Sequence, residues 1–174
     1  MIYKSLFFLG ISPALLMILN GCGYESKGSI ISSKARSTPI SAGRWCSSQK
    51  DDNGKTIRSC LDISIMGTKA YVVSFPPEAE SGFSDPLIVH FSTIKLTSGQ
   101  MEGGLLGEAC GGGEPTCSLF AIKPISATQF MFDGLACDGG SDECDMVDLD
   151  QAMHTFNSFP KDNKNVPGLF TLQK

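Results

Sequence analysis

Downstream of residue 60, hydrophobic and polar residues alternate with a period of two. Leu61, Ile63 and Ile65 alternate with Asp62 and Ser64, the pattern of a strand with one face against a core. Gly67-Thr68 marks a turn. Tyr71, Val73 and Phe75 then resume the alternation until Pro76-Pro77, which ends the strand because proline cannot donate to a ladder. Residues 87–96 (LIVHFSTIKL) form a longer run rich in β-branched side chains. Further strands are predicted over 101–106, 117–122, 129–133 and 144–149, and 44–47 precedes them all, giving eight. Glycine-rich connections join them. Helical patterning is confined to 150–159 (DQAMHTFNSF), with Asp150 as N-cap and Pro160 just beyond. Eight short, sequential strands predict a mainly β fold: an eight-stranded antiparallel up-and-down barrel, or alternatively a small β-sandwich.

The N-terminal segment has another pattern. Residues 6–19 are apolar apart from a break at Pro13, and Lys4 is the only charge ahead of them. As a helix these residues would extend about 21 Å, short of the roughly 30 Å hydrocarbon core that a spanning helix crosses. The run ends in Leu19-Asn20-Gly21-Cys22. These four residues resemble the lipobox of bacterial lipoproteins, with Asn20 where that family more often has Ala, Ser or Thr. The resemblance implies a signal peptide over 1–21, cleavage before Cys22, and a diacylglycerol and an acyl chain such as palmitate on Cys22. Gly23 rather than Asp after the cysteine implies transport to the outer membrane in enterobacteria-like sorting. The expected location is the cell envelope, facing periplasm or surface, held to the membrane by lipid. Residues 22–42 then read as a flexible tether rich in Ser and Gly, with a reach of roughly 25 Å, or in part as a first strand. Residues 43–174 form one folded domain.

Composition sharpens this picture in two ways. The chain has 14 Lys+Arg against 18 Asp+Glu, and without Lys4 the balance is 13 against 18. An acidic surface excludes nucleic acid as the expected partner. Apart from Cys22, six cysteines remain, the number expected of three disulfides in an exported domain. Fifteen connectivities are possible in principle. Proximity favours Cys46–Cys60 around the turn at Asp52-Asn53-Gly54, Cys110–Cys117 around GGGEPT, and Cys137–Cys144 around DGGSDE. A zinc site is disfavoured because C-x-x-C spacing is absent and neither histidine is spaced with the cysteines as a ligand.

Motifs that carry chemistry are few. A nucleophile elbow, a P-loop and a dinucleotide fingerprint are all missing, so no catalytic residue and no cofactor is assigned. His90 lies between Val89 and Phe91 in an apolar run and is expected on the opposite face from both. His154 lies near Asp148 and Asp150. Asp133, Asp138, Asp142, Glu143, Asp145, Asp148 and Asp150 crowd into 133–150, and no Lys or Arg occurs between Lys123 and Lys161. Asp138 and Asp142 flank Gly139-Gly140-Ser141 and are weak Ca²⁺ candidates, lacking the EF-hand pattern. Gly43-Arg44-Trp45 resembles the G-x-W that opens lipocalin-like barrels, where the tryptophan plugs the floor. Candidate binding residues are therefore Trp45, Asp138, Asp142, Glu143 and Asp145. The function expected is non-enzymatic binding of an unknown protein or small apolar ligand. The alternatives are a glycan hydrolase using carboxylates of 133–150 and an inhibitor of a cationic enzyme such as lysozyme.

Overall fold

A computed structural model describes residues 23–50, 55–76, 85–111, 116–134, 137, 144–158 and 167–173. Eight strands close into an antiparallel barrel: β3 (Gly43–Lys50), β4 (Thr56–Met66), β5 (Ala70–Ser74), β6 (Leu87–Lys95), β7 (Leu105–Cys110), β8 (Cys117–Ser126), β9 (Gln129–Asp133) and β11 (Gly168–Leu172). Each of β3 to β8 pairs with its successor. β11 closes the ring by lying between β9 and β3, through Phe170↔Phe130 and Phe170↔Ser47. Closure gives every barrel strand a partner on both sides, while Thr56–Leu61 of β4 and Ser48–Lys50 of β3 pair only within their own hairpin.

The period-two pattern aims one residue in two at the axis. Trp45, Leu61, Ile63, Tyr71, Val73, Val89, Phe91, Phe120, Ile122, Phe130, Phe132 and Phe170 are buried in one central cluster. Their rings touch in sequence: Tyr71 on Phe91 (5.4 Å between centroids), Phe91 on Phe120 (5.8 Å), Phe120 on Phe132 (5.2 Å), and Phe130 on Phe170 (5.2 Å). Gly107 makes room for this chain of rings. A Cβ there would lie 2.5 Å from the Phe120 ring and 3.0 Å from Phe91. Gly43 has φ +142, and a Cβ there would strike Leu172 at 2.6 Å.

Outside the barrel, helix α1 (Leu149–Ser158) lies over β7 and β8. Ala152, Met153 and Phe156 pack with Leu106, Leu119, Ala121 and Met146 in a second apolar cluster. The helix begins one residue earlier than the sequence suggests, because Asp148 rather than Asp150 is its cap. Asp148 Oδ1 accepts the Gln151 N–H at 2.8 Å, and Gln151 Oε1 accepts the Val147 N–H at 2.9 Å. Asp150 sits in the first turn, where its charge suits the helix dipole.

Three expectations need correction. The eighth barrel strand is Gly168–Leu172, not 144–149. Only β10 (Asp145–Met146) forms in the latter region, pairing parallel with β1 (Glu25–Ser26) outside the barrel. The strand expected at 101–106 begins instead at Leu105, because a turn with Met101 buried and Gly103 at φ +82 occupies the first half. The segment expected as a flexible tether is laid along the wall. β1 pairs with β8, β2 (Arg36–Ser37) pairs with β6, and Ser26, Ile31 and Ile40 are buried. Burying two isoleucines and pairing two strands outweighs the freedom its Ser and Gly content suggests.

Candidate functional site

The two ends of the barrel are built differently. At one end, residues 40–41 close the floor. The Tyr71 hydroxyl donates to the Ile40 carbonyl at 2.7 Å and accepts the Ile40 N–H at 3.2 Å, and burial raises its pKa. The Trp45 indole N–H donates to the Ser41 carbonyl at 3.0 Å. Trp45 is fully buried against Phe130, so it is a floor residue with no surface to offer a partner.

The opposite end is where β3, β5, β7 and β9 leave the barrel, and two of the three disulfides, Cys110–Cys117 and Cys137–Cys144, lie there, whereas Cys46–Cys60 sits mid-hairpin next to Trp45. Cys46–Cys60 joins directly paired residues of β3 and β4, with Cα atoms 4.1 Å apart. Cys110–Cys117 joins the last register pair of β7 and β8, at 4.2 Å. Cys137–Cys144 ties the chain leaving β9 to the start of β10, at 5.8 Å. All three pairings are the local ones expected from spacing. Each closes a short loop, worth about 2–3 kcal/mol in the chain-entropy account.

Within the barrel a cavity of about 60 Å³ runs from the Ile40 plug past Phe91 and Phe120 to Phe75 and Leu87. Every lining residue is apolar. Pockets for drug-sized ligands start at about 300 Å³, so the rings occupy the space such a ligand needs. Val73, Phe130 and Phe132 line the cavity, whereas Tyr71 belongs to the floor.

A polar cluster lies on the outer wall. Glu108 is fully buried, facing outward from β7. Its carboxylate accepts hydrogen bonds from Ser29 Oγ, from the Ile30 N–H (2.8 Å) and from the Ile31 N–H (3.2 Å). His90 Nδ1 lies 2.9 Å from Glu108 Oε1, across the β6–β7 pair. Arg36 completes the arrangement, donating through Nη2 to Ser29 Oγ (3.0 Å) and through Nε to the Ile31 carbonyl (2.9 Å). His90 thus sits on the face opposite Val89 and Phe91. The ligand atoms of His90, Glu108 and Cys110 lie within 4.8 Å of one another, but the Cys110 sulfur is committed to Cys117 and Glu108 is filled by donors. Ser29 and His90 both point at the carboxylate instead of forming a nucleophile–base pair, so the cluster is a clamp. The signal for it in the sequence is the lone Glu in LLGEAC.

The acidic stretch is dispersed. Asp133, at the end of β9, is 3 % exposed, and its Oδ2 has no hydrogen-bond partner among the described residues. Burial pushes its pKa up to about 6. Asp145 is half-exposed and lies 3.8 Å from Lys27 Nζ, while Asp148 caps α1 and His154 is exposed on that helix. Asp138, Asp142, Glu143 and Cys22 lie outside the described residues. Comparison with protein-family models, with curated proteins and with solved structures returns no match.

Proposed function

We propose that the protein is a lipid-anchored envelope lipoprotein whose barrel presents a non-enzymatic binding surface at its disulfide-stapled end. The observation that carries this reading is the contrast between the two ends. One is plugged by Ile40 and Trp45, and the other carries the Cys110–Cys117 and Cys137–Cys144 disulfides beside an apolar cavity. A lumen filled by aromatic rings moves recognition from the interior to that rim, which favours a protein partner over an apolar small molecule. Disulfides hold the rim in one arrangement before contact, reducing the ordering cost of binding. The anchor rests on Leu19-Asn20-Gly21-Cys22.

Two experiments test the two halves. Radiolabelled palmitate should enter the protein and should be lost in Cys22→Ser; continued labelling of that variant ends the lipoprotein reading. A photo-crosslinker at Asp85 or Gly111, at the stapled end, should trap a partner in the envelope. The same crosslinker at Ser64, away from that end, should not. Equal yields from both positions would overturn the assignment of the binding surface.

A further inference from the structure

The plugged end of the barrel carries a second surface. Ile65 and Met66 at the end of β4, Ile94 near the end of β6, and Ile125 near the end of β8 are 48 %, 46 %, 48 % and 50 % exposed. Four of the six exposed large hydrophobic side chains among the described residues therefore stand at one rim. Scattered singly they would need no explanation. Their placement around one rim, at the ends of three separate strands, is the first observation. The second is charge. Lys69 follows Met66 in the β4–β5 turn, and its Nζ reaches the Ser33 carbonyl (3.1 Å), which brings Lys34 alongside; Lys95 follows Ile94. In a chain with excess negative charge, three lysines accompany the exposed aliphatic side chains.

The third observation is the path of the chain. β1 runs antiparallel to β8, with Ser26 opposite Cys117, Glu25 opposite Ser118, and the Tyr24 carbonyl accepting the Leu119 N–H. Traced backwards, the polypeptide climbs from the stapled end towards the rim at Ser126.

We infer that this rim docks on an anionic lipid surface, with the aliphatic tips entering the headgroup layer and Lys34, Lys69 and Lys95 facing lipid phosphates. The inference rests on the lipoprotein reading for its biological setting, and it sets an orientation: plugged end down, stapled end outward. Each lysine near an anionic surface raises partitioning by about fivefold, and the attraction weakens within a Debye length as salt rises.

The test uses the processed protein purified from its cells, whose intact mass reports whether Cys22 carries lipid. Amide hydrogen exchange is compared on phosphatidylcholine vesicles with and without phosphatidylglycerol. Docking predicts slower exchange at 64–69 and 92–97 only on the anionic vesicles. High salt should reverse the slowing, and so should Met66→Asp/Ile94→Asp. Protection of the stapled end, protection that ignores lipid charge, or none at all would overturn the inference. Rim protection without vesicles at raised protein concentration would instead mark contact between two copies, and would also overturn it. An unlipidated mass with intact rim protection would end the lipoprotein reading while leaving the docking surface standing.

Discussion

Two buried acids show how differently one residue type can be held. Glu108 has three donors with His90 Nδ1 as a fourth partner, and Asp133 leaves Oδ2 without one among the described residues. Replacing Glu108 with Ala removes both carboxylate oxygens and leaves the buried Ile30 and Ile31 N–H groups without their acceptor. Unfolding free energy should fall by about 2–4 kcal/mol, measured by urea titration, and the Ile30 and Ile31 amides should exchange faster. An unchanged midpoint would show that the clamp carries no stability. Asp133 makes the opposite prediction. Its folded pKa of about 6 is above the ordinary 3.8, so the folded state holds its proton more tightly than the unfolded chain. Stability is therefore lost as pH rises from about 4 through 6, and the full penalty persists above that. Asp133→Asn should flatten this dependence and stabilise the protein at pH 7.5 by up to about 3 kcal/mol. A variant with the wild-type pH profile would place the titration elsewhere. Neither role was fully legible beforehand. A lone Glu in LLGEAC is a visible anomaly, but the donors that satisfy it come from residues 29–31, far away in sequence.

Among the elements, locality decided what could be read. The hairpins β3–β4, β4–β5, β7–β8 and β8–β9 pair neighbours in sequence, so alternation and turn residues were enough to place them. The disulfides follow the same rule, since Cys46↔Cys60 and Cys110↔Cys117 are register partners in hairpins. β11 was not visible: GLFTL is five residues long, and its partners β3 and β9 are distant. The sequence 144–149 carries a similar apolar content, and only the register of the closed ring separates the two. Removing the staple at the β7–β8 hairpin with Cys110→Ser/Cys117→Ser should cost about 2–3 kcal/mol. Non-reducing peptide mapping of the native protein should return Cys110 with Cys117 and Cys137 with Cys144. A cross-link between the two loops would contradict the arrangement.

At the scale of the whole molecule, the barrel, the clamped N-terminal segment and α1 share two apolar clusters, one on each side of the β7–β8 wall. Leu106 and Leu119 face the outer cluster while Leu105 and Phe120 face the inner one. Disrupting one side therefore removes support from the other. Trp45 fluorescence, which reports the floor, and far-UV circular dichroism should follow one coincident urea transition. Separate midpoints would show that the outer layer melts on its own. Gly107→Ala should lower that common midpoint by forcing apart Phe91 and Phe120.

The position of β11 has a temporal consequence. The strands that flank it, β3 and β9, are made long before it, and both keep unpaired edges until Gly168–Leu172 emerges. Closure must therefore wait for residues 168–172, and their arrival decides when the sheet becomes a cylinder. Long-range closure of this kind is slow to search. A chain that crosses a membrane before folding would be kept translocation-competent by this delay.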